Sequence, residues 1–162
     1  MDLRPRPATQ ADLPALEQLL EDAGLISAGV RAHIEGFLLL EDEGRVIASA
    51  GLEQYGTHAL LRSVAVVPAY RNRGVARFLV SRILGQAAAH QIQDVYLFTA
   101  TAPAYFRRFG FVPITRDEVA VPVRASEEYG ECCNGAATMV LRLRPVEDDR
   151  SALGTDTARA QR

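Results

Sequence analysis

Apolar residues recur along this chain in two periods, and the points where one period gives way to the other divide it into elements. Leu13, Leu16, Leu19 and Leu20 fall at helical spacing. With Asp12 in the first turn and Gly24 closing the pattern, they predict a core-facing helix over residues 9–23. Ahead of it, residues 3–7 fit a short edge strand, where prolines cost no ladder donor. Residues 29–36 predict a second, shorter helix. Two apolar runs, residues 37–41 and 45–53, flank the turn Asp42-Glu43-Gly44 and read as a hairpin. A third strand over residues 59–67 follows the break at Gly56, so three neighbouring strands form an antiparallel meander.

That third strand ends in Val66-Val67-Pro68 and passes into Ala69-Tyr70-Arg71-Asn72-Arg73-Gly74-Val75-Ala76, with an amphipathic helix predicted behind it over residues 77–89. A strand, a turn rich in backbone N–H groups and a helix N-terminus together make an anion site, because the first helical turn leaves donors unpaired and carries positive partial charge. Arg71, Arg73 and Arg77 add formal charge at the same place. From the turn alone, a helix start beside solvated arginines reads the same way.

After a helical crossover, residues 94–99 form a short apolar strand expected to lie parallel to the strand over residues 59–67. A helix over residues 103–109 is stopped by Gly110; Phe111-Val112 begins a strand that Pro113 interrupts, and residues 138–143 supply the last one. From residue 145 onward large apolar residues nearly vanish, which predicts a single domain over residues 1–144 and a disordered tail over 145–162.

Composition narrows the chemistry. With 162 residues, 48% of them hydrophobic and 23% charged, the chain suits one domain with a continuous core. A net charge of -2 gives no general basic field, which argues against nucleic acid and anionic membrane surfaces as partners. No apolar stretch approaches the roughly 20 residues needed to span a bilayer, and the basic start is not followed by an apolar signal region, so a cytoplasmic location is expected. Cys132 and Cys133 are neighbours, and a disulfide between them would be strained, so reduced thiols are expected. His33, His58 and His90 lack any metal-binding interval, and no metal is expected.

The element order resembles the GNAT superfamily of acyl-CoA-dependent N-acyltransferases over about residues 1–144. Two motifs carry the resemblance: Arg71-Asn72-Arg73-Gly74-Val75-Ala76, similar to the family's phosphate loop, and Tyr105-Phe106-Arg107-Arg108-Phe109-Gly110-Phe111, similar to its later helix and Gly-Phe ending. The resemblance implies an α+β fold with a mixed, mostly antiparallel sheet of six to seven strands, about four flanking helices and a central parallel pair. It also implies acetyl-CoA as acyl donor. Backbone amides of Arg71, Asn72, Arg73, Gly74, Val75, Ala76 and Arg77 would cradle the pyrophosphate, main-chain groups of Val64, Ala65 and Val66 would meet the pantetheine arm, and Phe106 would border the cofactor.

For the chemistry, the family implies the Val66 N–H as oxyanion donor. Glu53, at a strand end, is the candidate base, acting directly or through water; an exposed strand-end carboxylate is the other reading. The family's leaving-group tyrosine is replaced here by Phe106, and Tyr105 projects about 100° away on a helix, so it is assigned to packing. The thiolate then leaves unassisted or takes a proton from water. Phe106 with Leu61-Arg62-Ser63-Val64-Ala65-Val66 looks more like N-acetylglutamate synthases and small GNAT proteins linked to arsenic resistance, which implies an amino-acid-like amine as substrate. Arg62 and Arg124 are candidates to bind its carboxylate, each also readable as a surface salt bridge, and Cys132 and Cys133 are candidates to line the same region. A homodimer is implied by analogy. The alternative function is an acyl-CoA-binding sensor with little catalysis.

Overall fold

The computed structural model describes residues 3–131 and 135–143. Cys132, Cys133 and the expected tail lie outside them. In chain order the strands and helices are β1 (Arg6–Pro7), α1 (Leu13–Asp22), β2 (Phe37–Asp42), β3 (Arg45–Tyr55), β4 (His58–Val66), α2 (Val75–Ala89), β5 (Asp94–Thr99), α3 (Pro103–Arg107), β6 (Val112–Ile114), α4 (Glu127–Glu131) and β7 (Ala137–Arg142). Short 3₁₀ turns join several of them, including Arg31–Gly36, Pro68–Tyr70 and Val121–Ala125.

The helix predicted over residues 9–23 enters through a capping box, in which the Thr9 backbone N–H donates to Asp12 at 2.7 Å. Leu13, Leu16, Leu19 and Leu20 are all buried, as their spacing requires, and they pack on Phe37 and Leu39 of β2. The seven strands form one sheet in the order β1-β2-β3-β4-β5-β7-β6. Every pairing is antiparallel except β4 with β5. This is the mixed, mostly antiparallel α+β architecture expected. The helix α2 covers one face through Leu79, Val80, Ile83 and Ala87, sealing a core with β2, β3, β4 and β5.

Two details depart from the pattern-based expectation. Pro113 does not end its strand but sits within β6, opposite Met139 of β7. The outermost position of β6 explains this, since an edge strand can lose a donor without breaking the sheet. The helix after the basic turn starts at Val75 rather than Arg77, directly behind Gly74. No helix among the described residues is long and apolar enough to cross a membrane.

The two parallel strands set up the site. Their pairing is confined to His58 through Leu60 against Asp94 through Tyr96. Beyond that point β4 and β5 part, leaving one edge of β4 open.

Candidate active site

Residue by residue, β4 is shaped to present its open edge. Its register with β3 runs from Gly51 opposite Arg62 to Ser49 opposite Ala65, so three steps on β4 match two on β3, a β-bulge. Ser63 takes the strain with φ +58°, a left-handed conformation that costs a non-glycine residue about 1–2 kcal/mol. The buried Ser49 hydroxyl donates to its carbonyl at 2.7 Å and holds it there. At the end of β4, Val67 N–H donates to Ile47 O at 2.9 Å. The facing pair Val66 and Ala48 is therefore a non-hydrogen-bonded pair, and the Val66 N–H and C=O point away from β3 into the gap towards β5.

A cleft of about 550 Å³ occupies this gap. Of the residues singled out from the sequence, Arg62, Val64, Ala65, Val66, Arg71, Ala76 and Phe106 line it. Asn72, Arg73, Gly74, Val75 and Arg77 are not among its lining residues but neighbour Arg71 and Ala76 along the chain. Asn72 has φ +63° and Gly74 φ +77°, so the chain curls and turns backbone N–H groups outward ahead of α2. Gly74 is the N-cap of α2 and offers no side-chain acceptor, which leaves the N–H groups of the first turn without a cap. Arg71 Nε donates to Val66 O at 2.9 Å, and the Arg73 guanidinium lies 5.6 Å from the Tyr70 ring centroid; the Tyr70 hydroxyl donates to Asp42. An alanine at position 74 would have to hold a left-handed φ, so Gly74→Ala is expected to raise the Kd for CoA about tenfold in calorimetric titration and to lower the melting midpoint by about 2–4 °C.

The α3 side of the cleft is aromatic. Phe106 is buried and meets Phe111 edge-on at 6.1 Å and Tyr105 at 5.2 Å. Gly110 at φ +101° reverses the chain between them, with Leu141 so close that a Cβ would lie 3.1 Å from its Cδ1. Tyr105 also lines the cleft, and its hydroxyl is buried with no hydrogen-bond partner among the described residues. Burial pushes its phenol up, against the pull of Arg108 and Arg77. The packing role expected from the sequence leaves this buried hydroxyl without a partner among the described residues.

Glu53 and Arg124 do not line the cleft, and Arg62 lines it with most of its donors already committed. β3 runs two residues past Glu53, so its carboxylate is wholly buried and is not among the cleft-lining groups. It accepts from Arg62 Nη1 at 2.7 Å and from the Tyr55 hydroxyl at 2.5 Å, with His33 Nε2 at 3.6 Å. Burial pushes this carboxyl up, but hydrogen bonds from Tyr55, Arg62 and Ser126, with the His33 charge, outweigh it and hold Glu53 below the usual carboxylate range. Arg62 is 2% exposed and spends Nη1 also on Ala28 O at 2.7 Å, Nη2 on Ile26 O at 2.8 Å and Nε on Ser63 Oγ at 3.0 Å. Among the described partners this leaves a single Nη2 N–H, too little for a bidentate grip on a substrate carboxylate. Arg124 donates to Val119 O at 3.1 Å and Asp117 O at 2.7 Å, closing its own loop instead of lining the cleft.

Sequence reasoning passed over Glu128. It is 8% exposed, lines the cleft, and places Oε2 3.1 Å from Arg62 Nε. Its segment has no helical or strand periodicity, so only the tertiary contact reveals it. The nearest local signal is Ser126, whose hydroxyl accepts from the Glu128 N–H at 3.2 Å.

Known proteins resemble this chain in sequence and in fold. The chain is 30% identical over 133 residues to an amino-acid acetyltransferase of Actinobacillus pleuropneumoniae serotype 5b, covering 76% of this chain but only 30% of that protein. It therefore spans under a third of the length of that relative. An uncharacterized N-acetyltransferase of Chlorobaculum tepidum is 26% identical over 122 residues, covering 69% of this chain and 77% of that one. Among solved structures, N-acetylglutamate synthase from Neisseria gonorrhoeae, complexed with coenzyme A and N-acetyl-glutamate, superposes with a TM-score of 0.75 at 21% identity over 89% of this chain and 36% of that one. Rv2747 from Mycobacterium tuberculosis, in complex with CoA, gives 0.70 at 24% identity over 87% and 99% of the two chains. The model of the acetyltransferase (GNAT) domain matches residues 33–113, from the turn before β2 through the phosphate loop to β6. The chain belongs to the GNAT acetyltransferase family.

Proposed function

We propose that this chain transfers the acetyl group of acetyl-CoA to the amino group of a small, amino-acid-like substrate by direct attack. The observation that carries the reading is the open edge of β4, where the Val66 N–H points into a cleft that continues to the uncapped start of α2. These residues fit an acyl-CoA: loop amides from Arg71 to Arg77 for a pyrophosphate, main-chain groups of Val64 to Val66 for an amide-bearing arm, and an apolar wall at Phe106. When bound, acetyl-CoA supplies the thioester carbonyl that the amine attacks. The Val66 N–H is then a fixed donor for the developing oxyanion, worth about 2.7–4 kcal/mol. Tyr105 offers the cleft an uncommitted hydroxyl for the departing thiolate, one residue along from the position that Phe106 takes.

The amino-acid-like substrate is supported by the names of the relatives, several of which are amino-acid acetyltransferases. Arg62 in this reading shapes the substrate end of the cleft from behind, held by Glu53. Incubation with acetyl-CoA and a panel of glutamate-like amines should release free thiol. A folded protein silent across a broad panel would refute acetyl transfer.

Phe106 in place of a tyrosine favours a second reading, an acyl-CoA-binding sensor. It requires CoA to stabilise the fold by about 2.7 kcal/mol at a hundredfold excess over Kd with no thiol release from any amine.

A further inference from the structure

Arg62 gathers carboxyl groups from two elements, and only one of them opens onto the cleft. Glu53 of β3 is enclosed, with donors on both oxygens. Glu128 of α4 lines the same cleft as Val66, its carboxyl held by Arg62 Nε. We infer that Glu128, rather than Glu53, is the group that takes the proton from the attacking amine. This rests on the acetyl-transfer reading above.

A base for an amine must reach the substrate, carry a free oxygen and titrate near the working pH. Glu128 meets all three. It has cleft access, and only Oε2 is engaged by Arg62 among the described contacts. Burial pushes its carboxyl up to about 7, with Arg62 opposing and Glu53 adding to the shift. The charged groups facing it are Arg62 from β4 and Glu53 from β3, with His33 behind Glu53. Arg124 of the preceding turn is spent on the Val119 and Asp117 carbonyls, and Glu127 of the same helix lies beside Gly29.

The proton balance closes. The Glu128 carboxylate takes one proton from the substrate ammonium and later passes it to solvent. The freed nitrogen lone pair forms the C–N bond to the acetyl carbon as the C–S bond breaks, its electron pair going to sulfur. The second amine proton goes to that thiolate, leaving an amide and a thiol.

The test pairs kinetics with melting curves of the full chain. Glu128→Gln should lower kcat about 10²–10⁴-fold and abolish the rise of kcat with pH centred near 7, while the Kd for CoA stays within twofold. Glu128→Asp should keep a pH limb at reduced rate. The native carboxyl titrates above its ordinary 4.5, so the fold holds the extra proton and loses stability as pH climbs from about 4.5 through 7. The glutamine variant, locked in the neutral form, should accordingly melt above wild type at pH 8 and closer to it at pH 5. Wild-type kcat with an intact pH limb in the glutamine variant would overturn the assignment. So would its melting below wild type at pH 8, or failing to fold. A wild-type protein that binds CoA but acetylates no amine would instead sink the transfer reading, and the base role with it.

Discussion

Arg62→Leu is expected to cost about 3–5 kcal/mol of stability, lowering the melting midpoint by about 10 °C for a domain of this size. The guanidinium lies between two buried carboxylates, Glu53 and Glu128, and it also binds the carbonyls of Ile26 and Ala28 after α1. Removing it strands two acceptors and two backbone carbonyls at once. The loss depends on pH. Without the cation both carboxyls are easier to protonate than in the wild-type fold, so the folded variant binds more protons than folded wild type. The variant's deficit should therefore shrink at pH 5 and grow at pH 8. A variant melting within 2 °C of wild type at pH 8 (roughly the effect of 1 kcal/mol) would show that Arg62 does not hold these elements together.

The second large effect is on rate. Val66→Pro is expected to reduce kcat about 10²–10³-fold at saturating acetyl-CoA, while Val66→Ala stays near wild type. The contrast isolates the backbone donor. Because Val66 pairs with Ala48 without hydrogen bonds, proline removes no rung of the sheet, and the strand residue Ala65 before it already has the extended backbone that proline demands. The bond from Arg71 to the Val66 carbonyl is untouched. Stopped-flow or steady-state thiol release, with a melting curve to confirm the fold, checks both variants. Equal rates for proline and alanine would remove the Val66 N–H as oxyanion donor.

Much of the frame behind these predictions is legible in the residues alone. Leucine spacing locates α1, the Asp42-Glu43-Gly44 turn locates the hairpin, and the passage from Val66 to Gly74 marks the strand exit and helix start. Each is a local signal. Gly110 and Phe111 are legible for the same reason, the glycine holding a φ of +101° that few other residues would accept.

The substrate end is less legible because its residues are fixed by partners distant in sequence. Glu53 looks like a strand-end carboxylate until β4 is laid beside β3. Gly51 then faces Arg62, which puts Glu53 on the diagonal and within reach of the guanidinium. The bulge at Ser63 depends on the Ser49 hydroxyl, fourteen residues earlier. Glu128 depends on α4 folding back onto β4, a packing that no periodicity encodes. Arg62 and Arg124, equivalent as candidate cations in the sequence, separate only when the backbone carbonyls around them are counted.

Acetyl transfer to a small amine can be read out by incubation with labelled acetyl-CoA and an unfractionated pool of small metabolites, followed by mass spectrometry. Label is expected to move into at least one amine of amino-acid type as an amide, with stoichiometric free CoA. Label that stays on acetyl-CoA, in a folded protein whose melting midpoint acetyl-CoA raises, would contradict it and establish the sensor reading.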